Sequence, residues 1–200
     1  MLLKSDSWRQ SLNALCSKMN VVASNRTRMA GGLFYLSNQH HYSIIELTMR
    51  NYSGSSFAPM RSQFECFIRG VWGARCATED QIKEFLGGKE PPRMNELLAE
   101  IGKLKEYDDD RLTKLKKKIW GLFCDFTHGG GNQVSWHSSA SSIGADYTSK
   151  EIKDMLTYSD TVAYLNSAAF ALLCEDEKIM KKITASHRRI FGKKCITKSS

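Results

Sequence analysis

A row of charged residues is the first feature of the sequence whose types and spacing could do chemistry. Arg61, Glu65 and Arg69 follow one another at intervals of four residues, which places all three on one side of a helix. An exposed row of this kind would hold surface ion pairs worth roughly a few tenths of a kcal/mol each. The large apolar residues around the row instead indicate a central helix, in which the charges are at least partly buried and must be paired.

A histidine is the candidate partner of this row. His128 lies at the end of a predicted helix, directly before three glycines. The carboxyl end of a helix favours the charged imidazolium, so His128 could pair with Glu65. We therefore expect Arg61, Glu65 and His128 to meet, with the alternative that His128 only caps carbonyl groups before the glycines. His40, on the predicted apolar face of an earlier helix, is more typical of a buried core residue.

Signals for metals, cofactors and nucleotide phosphates are missing from the sequence. No G-x-S-x-G, H-E-x-x-H or G-x-x-x-x-G-K-[ST] motif occurs, and the glycines at 129–131 follow a predicted helix rather than a strand. The six cysteines lie at least ten residues apart, with no C-x-x-C pair. We expect no metal and no cofactor, and we expect the thiols to be reduced and structural.

The sequence also predicts the cellular location of the protein. No run of 18 apolar residues occurs, which excludes a membrane-spanning helix. The first residues lack the apolar stretch of a secretory signal peptide. Together with the cysteine spacing, these observations predict a cytoplasmic protein.

The positive charge is concentrated at the carboxyl end. Residues 178–200 contain eight lysines and arginines and no acid, which accounts for the whole formal net charge of +8 and leaves residues 1–177 neutral. This composition predicts a basic amphipathic helix that binds an anionic partner, with a merely solvated surface as the alternative. Nucleic acid is the expected anion, because the segment has few aromatic anchors for a membrane surface. The expected contacts are Lys181, Lys182, Arg188, Arg189, Lys193 and Lys194.

Helices must position these residues, because apolar side chains recur at helical spacing and no strand-like alternation exceeds four residues. We predict one all-α, single-domain bundle of about five to seven helices over residues 1–177, followed by the basic C-terminal helix and tail of 178–200. Residues 129–147, which are rich in Ser and Gly, form the expected irregular loop.

Individual helix boundaries follow from spacing and caps. The first helix is expected over about 8–22, and the second over about 31–51 with His40 on its apolar side. Ser55 or Ser56 is the expected N-cap before Pro59. Capping boxes predict two further helix starts, and these boxes begin at Thr78 and Thr148.

Three segments of the sequence carry a family resemblance. They read His-Tyr-Ser-Ile-Ile-Glu-Leu at 41–47, Arg-Ser-Gln-Phe-Glu at 61–65 and Leu-Phe-Cys-Asp-Phe-Thr-His-Gly-Gly at 122–130. This order resembles an uncharacterised bacterial all-helical family, and more loosely the abortive-infection and HEPN-type bundles, over roughly residues 35–170. The resemblance implies one polar cluster, whose members are His41, Arg61, Glu65, Asp125 and His128.

The sequence departs from the HEPN ribonucleases in the motif itself. Those enzymes carry an arginine followed by a histidine after four to six residues of the same helix. Upstream of His128 the corresponding positions hold Gly121, Leu122 and Phe123. The usual HEPN motif is therefore absent.

Two classes of function follow from these observations. The first is a non-enzymatic interaction or nucleic-acid-associated module of a bacterial phage-defence or toxin–antitoxin system. The second is a metal-independent ribonuclease with a rearranged site, in which His128 is the general base and Arg61 stabilises the phosphorane charge. We favour the non-enzyme, because the one-helix spacing is missing. A homodimer or a protein partner stays open.

Overall fold

The computed structural model describes residues 1–138, 143–144 and 147–192. This part of the chain contains ten α-helices and one short 3-10 helix, and it holds no strand. The all-α prediction is confirmed, but five to seven helices were too few because several connections form helices of one or two turns. The α-helices are α1 (Leu2–Cys16), α2 (Asn25–Met49), α3 (Ser53–Phe57), α4 (Pro59–Arg75), α5 (Glu79–Leu86), α6 (Met94–Ile101), α7 (Arg111–His128), α8 (Gly131–Ser135), α9 (Ser149–Leu173) and α10 (Glu177–Phe191).

Capping side chains set the start of several of these helices, among them α10, where Asp176 accepts from the backbone N–H of Ile179. The boxes of Thr78 with Gln81 and of Thr148 with Glu151 are both present, as predicted. A third box, made by Ser24, was not predicted, because Thr27 takes the place that Glu or Gln usually holds. Helix α2 therefore begins at Asn25 rather than near residue 31.

The first helix begins and ends earlier than predicted. Helix α1 spans Leu2–Cys16, and Val22 lies beyond it with 87% of its surface exposed. The boundary moves because Ser24 already begins the next helix, so the preceding residues must serve as the connection. Trp8 and Leu12 are fully buried, which confirms the central part of the predicted apolar face.

Helix α4 is the central helix that its composition predicts. Pro59 occupies its first turn, where a missing N–H costs little. Ser55 and Ser56 do not cap it, because they belong to the separate short helix α3. Helix α4 packs against α2, α9 and α6. The apolar row predicted for this helix is buried throughout and consists of Met60, Phe64, Phe67 and Val71, together with Phe57, which belongs to α3.

The buried face of α2 differs from the predicted one. His41 is fully buried, whereas His40 is half-buried and Leu36 is 48% exposed. The face that meets α4 and α9 includes the polar residues Ser37, Asn38 and His41 between its apolar ones. The prediction was wrong because a pattern of apolar residues alone excludes such polar positions.

Part of the predicted loop at 129–147 is ordered structure. Gly129, in the left-handed conformation with φ at 67°, ends α7, and the short helix α8 follows. Trp136 and Tyr147 then pack against Phe57 and Phe126, with Phe57 stacked on Phe126 at 4.5 Å between ring centroids. Aromatic burial therefore holds both ends of this segment against the core. The remainder of the predicted loop lies outside the described residues.

The basic C-terminal helix belongs to the packed bundle. Helix α10 contacts α9 and α1, and it buries Ile179, Ile183 and His187. The ring of His187 lies among aromatic rings, with centroids 5.1 Å from Trp8 and 4.6 Å from Tyr164. Nowhere in the described ranges is a helix both long and apolar enough to cross a membrane.

Candidate functional site

Helices α4 and α7 bring Arg61 and His128 into contact. The guanidinium Nε of Arg61 donates to Glu65 Oε1 over 2.8 Å, and its Nη1 lies 3.1 Å from His128 Nε2. Arg61 and Glu65 come together because they are one helical turn apart on α4. His128 reaches them from the last residue of α7. The expected meeting of the three residues is present, with Arg61 at its centre.

The hydrogen bond from Arg61 sets the role of His128 Nε2. A guanidinium only donates, so Nε2 is the acceptor in this bond. A pair with Glu65 was expected for His128, whereas the contact found is with Arg61. The side chain of His128 is exposed, and a backbone N–H, that of Gly129, closes the end of α7 on the carbonyl of Asp125.

The charged row on α4 is neither fully exposed nor fully buried. Glu65 lies between two arginines, since Arg69 Nη2 is 3.6 Å from Glu65 Oε2. The exposed fractions of the side chains are 27% for Arg61, 19% for Glu65 and 32% for Arg69. The guanidinium of Arg61 also lies over the ring of Trp120 at 5.1 Å from its centroid. The cluster is therefore reachable from solvent and backed by an aromatic side chain.

One residue of the predicted cluster, His41, has different surroundings. His41 is fully buried and bonds to Ser159 of α9, so it does not belong to the exposed Arg61 group. Its place on the buried side of α2 explains the difference. Asp125 is half-buried, and its carboxyl lies so close to Gly130 that a Cβ on that glycine would collide with it.

A second polar network is closed off in the interior. Ser159 Oγ donates to Gln63 Oε1 over 2.8 Å, so His41 Nδ1 must donate its own proton to Ser159 Oγ over 2.9 Å. The unprotonated His41 Nε2 then faces Asp160 Oδ1 at 3.8 Å. The other carboxylate oxygen, Asp160 Oδ2, accepts from Ser5 Oγ over 2.7 Å.

Burial decides what this interior network can do. It raises the pKa of Asp160 to about 7 and lowers the pKa of His41 to about 3, because each charged form is poorly solvated. The network can hold a proton but presents no surface to a substrate. Sequence reasoning missed Gln63, Ser159 and Asp160, although their helical spacing to the apolar core residues placed them on buried faces.

A basic groove lies between α1 and α10. Its volume is about 380 Å³, and its lining includes Lys18, Lys182 and Arg189 but no carboxylate. None of these three cations forms an ion pair with a residue that the structure describes. Ser11 and Ser186 bond across the groove floor, because the small side chains of both helices allow a close approach.

The other predicted basic residues are placed as follows. Lys181 and Arg188 are exposed on α10, and Lys181 Nζ lies 3.4 Å from a carboxylate oxygen of Glu177. Lys193 and Lys194 lie outside the described residues. The amphipathic character predicted for this helix is present, with its large apolar side chains buried or half-buried and its charged ones in solvent. In the described ranges, no three His, Cys, Asp or Glu side chains converge to hold a metal ion.

One family matches the chain. The family of unknown function DUF6988 matches residues 34–196, a range that includes Arg61, Glu65, His128 and all of α10. No curated protein and no solved structure matches. The resemblance to a family without an assigned function is thereby confirmed. Because the match covers well over half of the sequence, this chain belongs to the DUF6988 family.

Proposed function

We propose that this protein is a nucleic-acid-associated helical module that binds a phosphate backbone in the basic groove between α1 and α10. The observation that carries the proposal is the grouping of Lys18, Lys182 and Arg189 in one groove without a facing carboxylate. Unpaired cations attract phosphates and release the counterions that surround them. The groove is lined by residues 11–18 on one side and 182–189 on the other, and it is open to solvent.

The position of the cations favours a nucleic acid over a small anion. Lys182 and Arg189 are separated by two turns of α10, so they are suited to successive phosphates rather than to one. Lys18, just past the end of α1, supplies the third charge from the opposite wall. Arg188 and Lys178 are exposed on the same helix and extend the positive surface.

The test is fluorescence anisotropy of the full chain with a labelled single-stranded RNA of about 16 nucleotides. Substituting alanine for Lys18, Lys182 and Arg189 together should reduce the slope of log affinity against log salt by about 2, because each phosphate contact contributes about 0.7 for a single strand. The matched control removes three other charges, in the variants Lys83→Ala, Lys89→Ala and Lys150→Ala. Each of these lysines is already paired with an acid.

Substitution is preferable to truncation of this helix. A chain that ends at Glu177 would lose the contacts of Ile183 and His187 with the core, and with them the support of Trp8. Equal salt slopes for the groove variant and the control variant would contradict the proposal. Such a result would make α10 a solvated surface, which is the alternative reading of its composition.

The second candidate function is metal-independent cleavage of RNA at Arg61 and His128. The observation that favours it is their 3.1 Å contact in a solvent-accessible position. In this reading the His128 Nε2 lone pair leaves Arg61 and accepts the proton of a ribose 2′-hydroxyl. The released guanidinium then stabilises the charge that develops on the phosphate. Glu65 keeps Arg61 oriented during this exchange through the bond to Nε.

Cleavage is tested separately from binding. The parent and His128→Ala are incubated with structured and single-stranded RNA in the presence of a chelator, and the products are resolved by electrophoresis. If the parent cleaves RNA and His128→Ala does not, the result would support the ribonuclease. The control His137→Ala removes a histidine outside the Arg61 group. Intact RNA in all samples would leave the protein as a non-enzymatic module.

The cellular location and the biological role of the protein are part of the same proposal. A cytoplasmic location is supported by the cysteine spacing of the sequence. A place among HEPN-like proteins of phage defence or toxin–antitoxin systems is supported only by the order of His41, Arg61, Glu65 and His128. Growth of a bacterial host with and without the protein, during phage challenge, tests this setting directly.

A further inference from the structure

Helices α7 and α9 both pack on α4 and leave a groove between them. This groove consists of two adjoining cavities of about 350 and 380 Å³. Leu115, Lys118 and Thr161 line both cavities, so the two spaces form one site. Along α9 the lining extends from Glu151 to Leu165, which corresponds to about 21 Å at the rise of an α-helix. The groove is therefore large enough for an elongated small molecule.

The interior of this groove is apolar. Met60 and Met155 are buried and line the first cavity, and Leu112 is buried and lines the second. The flexible thioether side chains of methionine adapt to ligands of irregular shape. The hydroxyl protons of Thr157 and Thr161 are not free for a ligand, because each is donated to a backbone carbonyl one turn earlier on α9. The interior therefore favours a hydrocarbon chain over a polar ligand.

Each carboxylate that lines the groove already has a partner. The four pairs are Asp154 with Lys150, Glu106 with Arg75, Asp109 with Arg111, and Glu151 with its N-cap residue Thr148. The negative charges of the rim are thus compensated by the protein itself. They leave the balance of charge to the lysines of α7 that line the same groove.

Two lysines at the rim lack an acidic partner. Lys114 and Lys118 are exposed and lie one turn apart on α7, and neither forms an ion pair with a residue that the structure describes. Like charges at this spacing repel each other, and a bound anion would relieve the repulsion. Lys118 also lies where the two cavities join. The rim is therefore complementary to an anionic group placed beside the apolar interior.

We propose that the groove between α7 and α9 is a binding site for a long-chain carboxylate, an amphiphile of the fatty-acid class. The hydrocarbon chain lies in the apolar interior between the two helices, and the carboxylate pairs with Lys118 and Lys114. Since this site shares no lining residue with the basic groove between α1 and α10, it is independent of the proposed binding of nucleic acid.

The experiment titrates the full chain with cis-parinarate, a fatty acid whose fluorescence rises when it leaves water, below the concentration at which it forms micelles. Saturable binding that palmitate displaces is expected. Lys118→Gln should weaken the affinity at least about threefold, because the ion pair with the carboxylate is lost. Lys117→Gln is the matched control, since Lys117 is exposed on the same helix but does not line the groove. Thr161→Phe, which fills the junction of the two cavities, should weaken the affinity at least about tenfold.

A second competitor separates the two parts of the ligand. Hexadecanol has the hydrocarbon chain without the charge, so it should displace the probe equally well from the parent and from Lys118→Gln. Circular dichroism verifies folding, and if Thr161→Phe does not fold, Lys118→Gln and its control decide the matter. The absence of saturable binding, or equal affinities in Lys118→Gln and Lys117→Gln, would overturn the proposal. So would displacement of the probe by self-association of the chain, which would assign the groove to a second copy, or binding of an acidic amphipathic peptide in place of palmitate.

Discussion

His41 Nε2 lies 3.8 Å from Asp160 Oδ1 in the protein interior, and neither atom has a hydrogen-bond partner among the described residues. The two side chains come from α2 and α9, and both are almost completely buried. Burial raises the pKa of Asp160 to about 7 and lowers the pKa of His41 to about 3, because each charged form is poorly solvated. Between about pH 3 and pH 7 the fold therefore holds two groups that are mostly uncharged.

The pKa shifts of Asp160 and His41 change the free energy of unfolding in opposite directions as the pH rises. Asp160 binds its proton more tightly in the folded chain, so its contribution is complete below about pH 4 and is lost as the pH rises to about 7. His41 binds its proton more weakly in the folded chain, so its contribution is complete above about pH 6.5 and is lost as the pH falls to about 3. Between about pH 4 and 6.5 the two contributions change in opposite directions and largely cancel.

Single substitutions should reveal how each of the two residues makes the free energy of unfolding depend on pH. In Asp160→Asn, the free energy of unfolding should rise with pH from about 4 to 6.5, and it should exceed that of the parent by on the order of 2 kcal/mol at pH 8. In His41→Asn, it should instead fall as the pH rises over the same range. Urea unfolding at a series of pH values measures both. Asp154→Asn, an exposed acid on the same helix, is the control. Parallel pH profiles for the two interior variants would contradict this account.

Gly70 lies at the close contact of α2 and α4. A Cβ on Gly70 would come within 2.6 Å of the ring of Phe34, which is fully buried, so the ring would have to shift. Gly70→Ala should therefore lower the free energy of unfolding by about 1–3 kcal/mol. Gly32→Ala is the matched control, since nothing lies within 4 Å of its Cβ position and alanine should stabilise the helix by about 0.5–1 kcal/mol. Equal effects in the two variants would show that helix propensity, rather than contact with Phe34, decides the outcome.

The contribution of Arg61 to stability is limited by its exposure. The sequence alone allowed a fully buried pair, whose disruption costs about 3–5 kcal/mol. Since the side chains of Arg61 and Glu65 keep 27% and 19% of their surface in solvent, Arg61→Ala should cost only about 1 kcal/mol. Arg50→Ala breaks a pair of the same spacing with Glu46 at 66% and 50% exposure, and it should cost less than about 0.5 kcal/mol. Thermal unfolding of both variants provides the comparison, and a larger loss in Arg50→Ala would be inconsistent with it.

Local signals in the sequence were sufficient for several features of the fold. The boxes at Thr78 and Thr148 and the glycine at 129 act within one turn of chain, so their residue types alone indicate helix ends. Arg61 and Glu65 likewise met because they share a helix. His128 met them because an apolar face fixes how α7 lies on α4, although its hydrogen bond with Arg61 rather than with Glu65 depends on a distance that sequence does not contain.

Other features depend on contacts between distant segments. The family resemblance placed His41 in one cluster with Arg61, because no local pattern shows that Ser159 and Gln63, from two other helices, satisfy its ring inside the core. The groove between α1 and α10 was missed for the same reason. Lys18 lies far from Arg189 in the sequence, and only the packing of the two helices makes them walls of one groove.

The final prediction concerns the buried histidine that anchors α10. His187 Nδ1 has no hydrogen-bond partner among the described residues, and the ring lies against Trp8, Tyr164 and Phe191. Burial lowers the pKa of His187 to about 4, so the folded chain loses the stability contributed by this residue as the pH falls from about 6.5 to 4. A side chain without polar or titratable atoms would remove both the unpaired Nδ1 and the loss of stability at low pH.

We therefore expect His187→Phe to raise the free energy of unfolding by about 1 kcal/mol at pH 7, with a larger gain at pH 4.5. His187→Leu serves as the smaller replacement in case the phenyl ring overpacks the site. Because His187 faces the core while Lys182 and Arg189 line the groove, the affinity for single-stranded RNA should stay within about twofold of the parent. Urea unfolding at both pH values and the anisotropy titration measure the two effects. A gain that does not grow at pH 4.5 would show that the His187 ring takes up its proton without leaving the core, and the stability of α10 would then be independent of this titration.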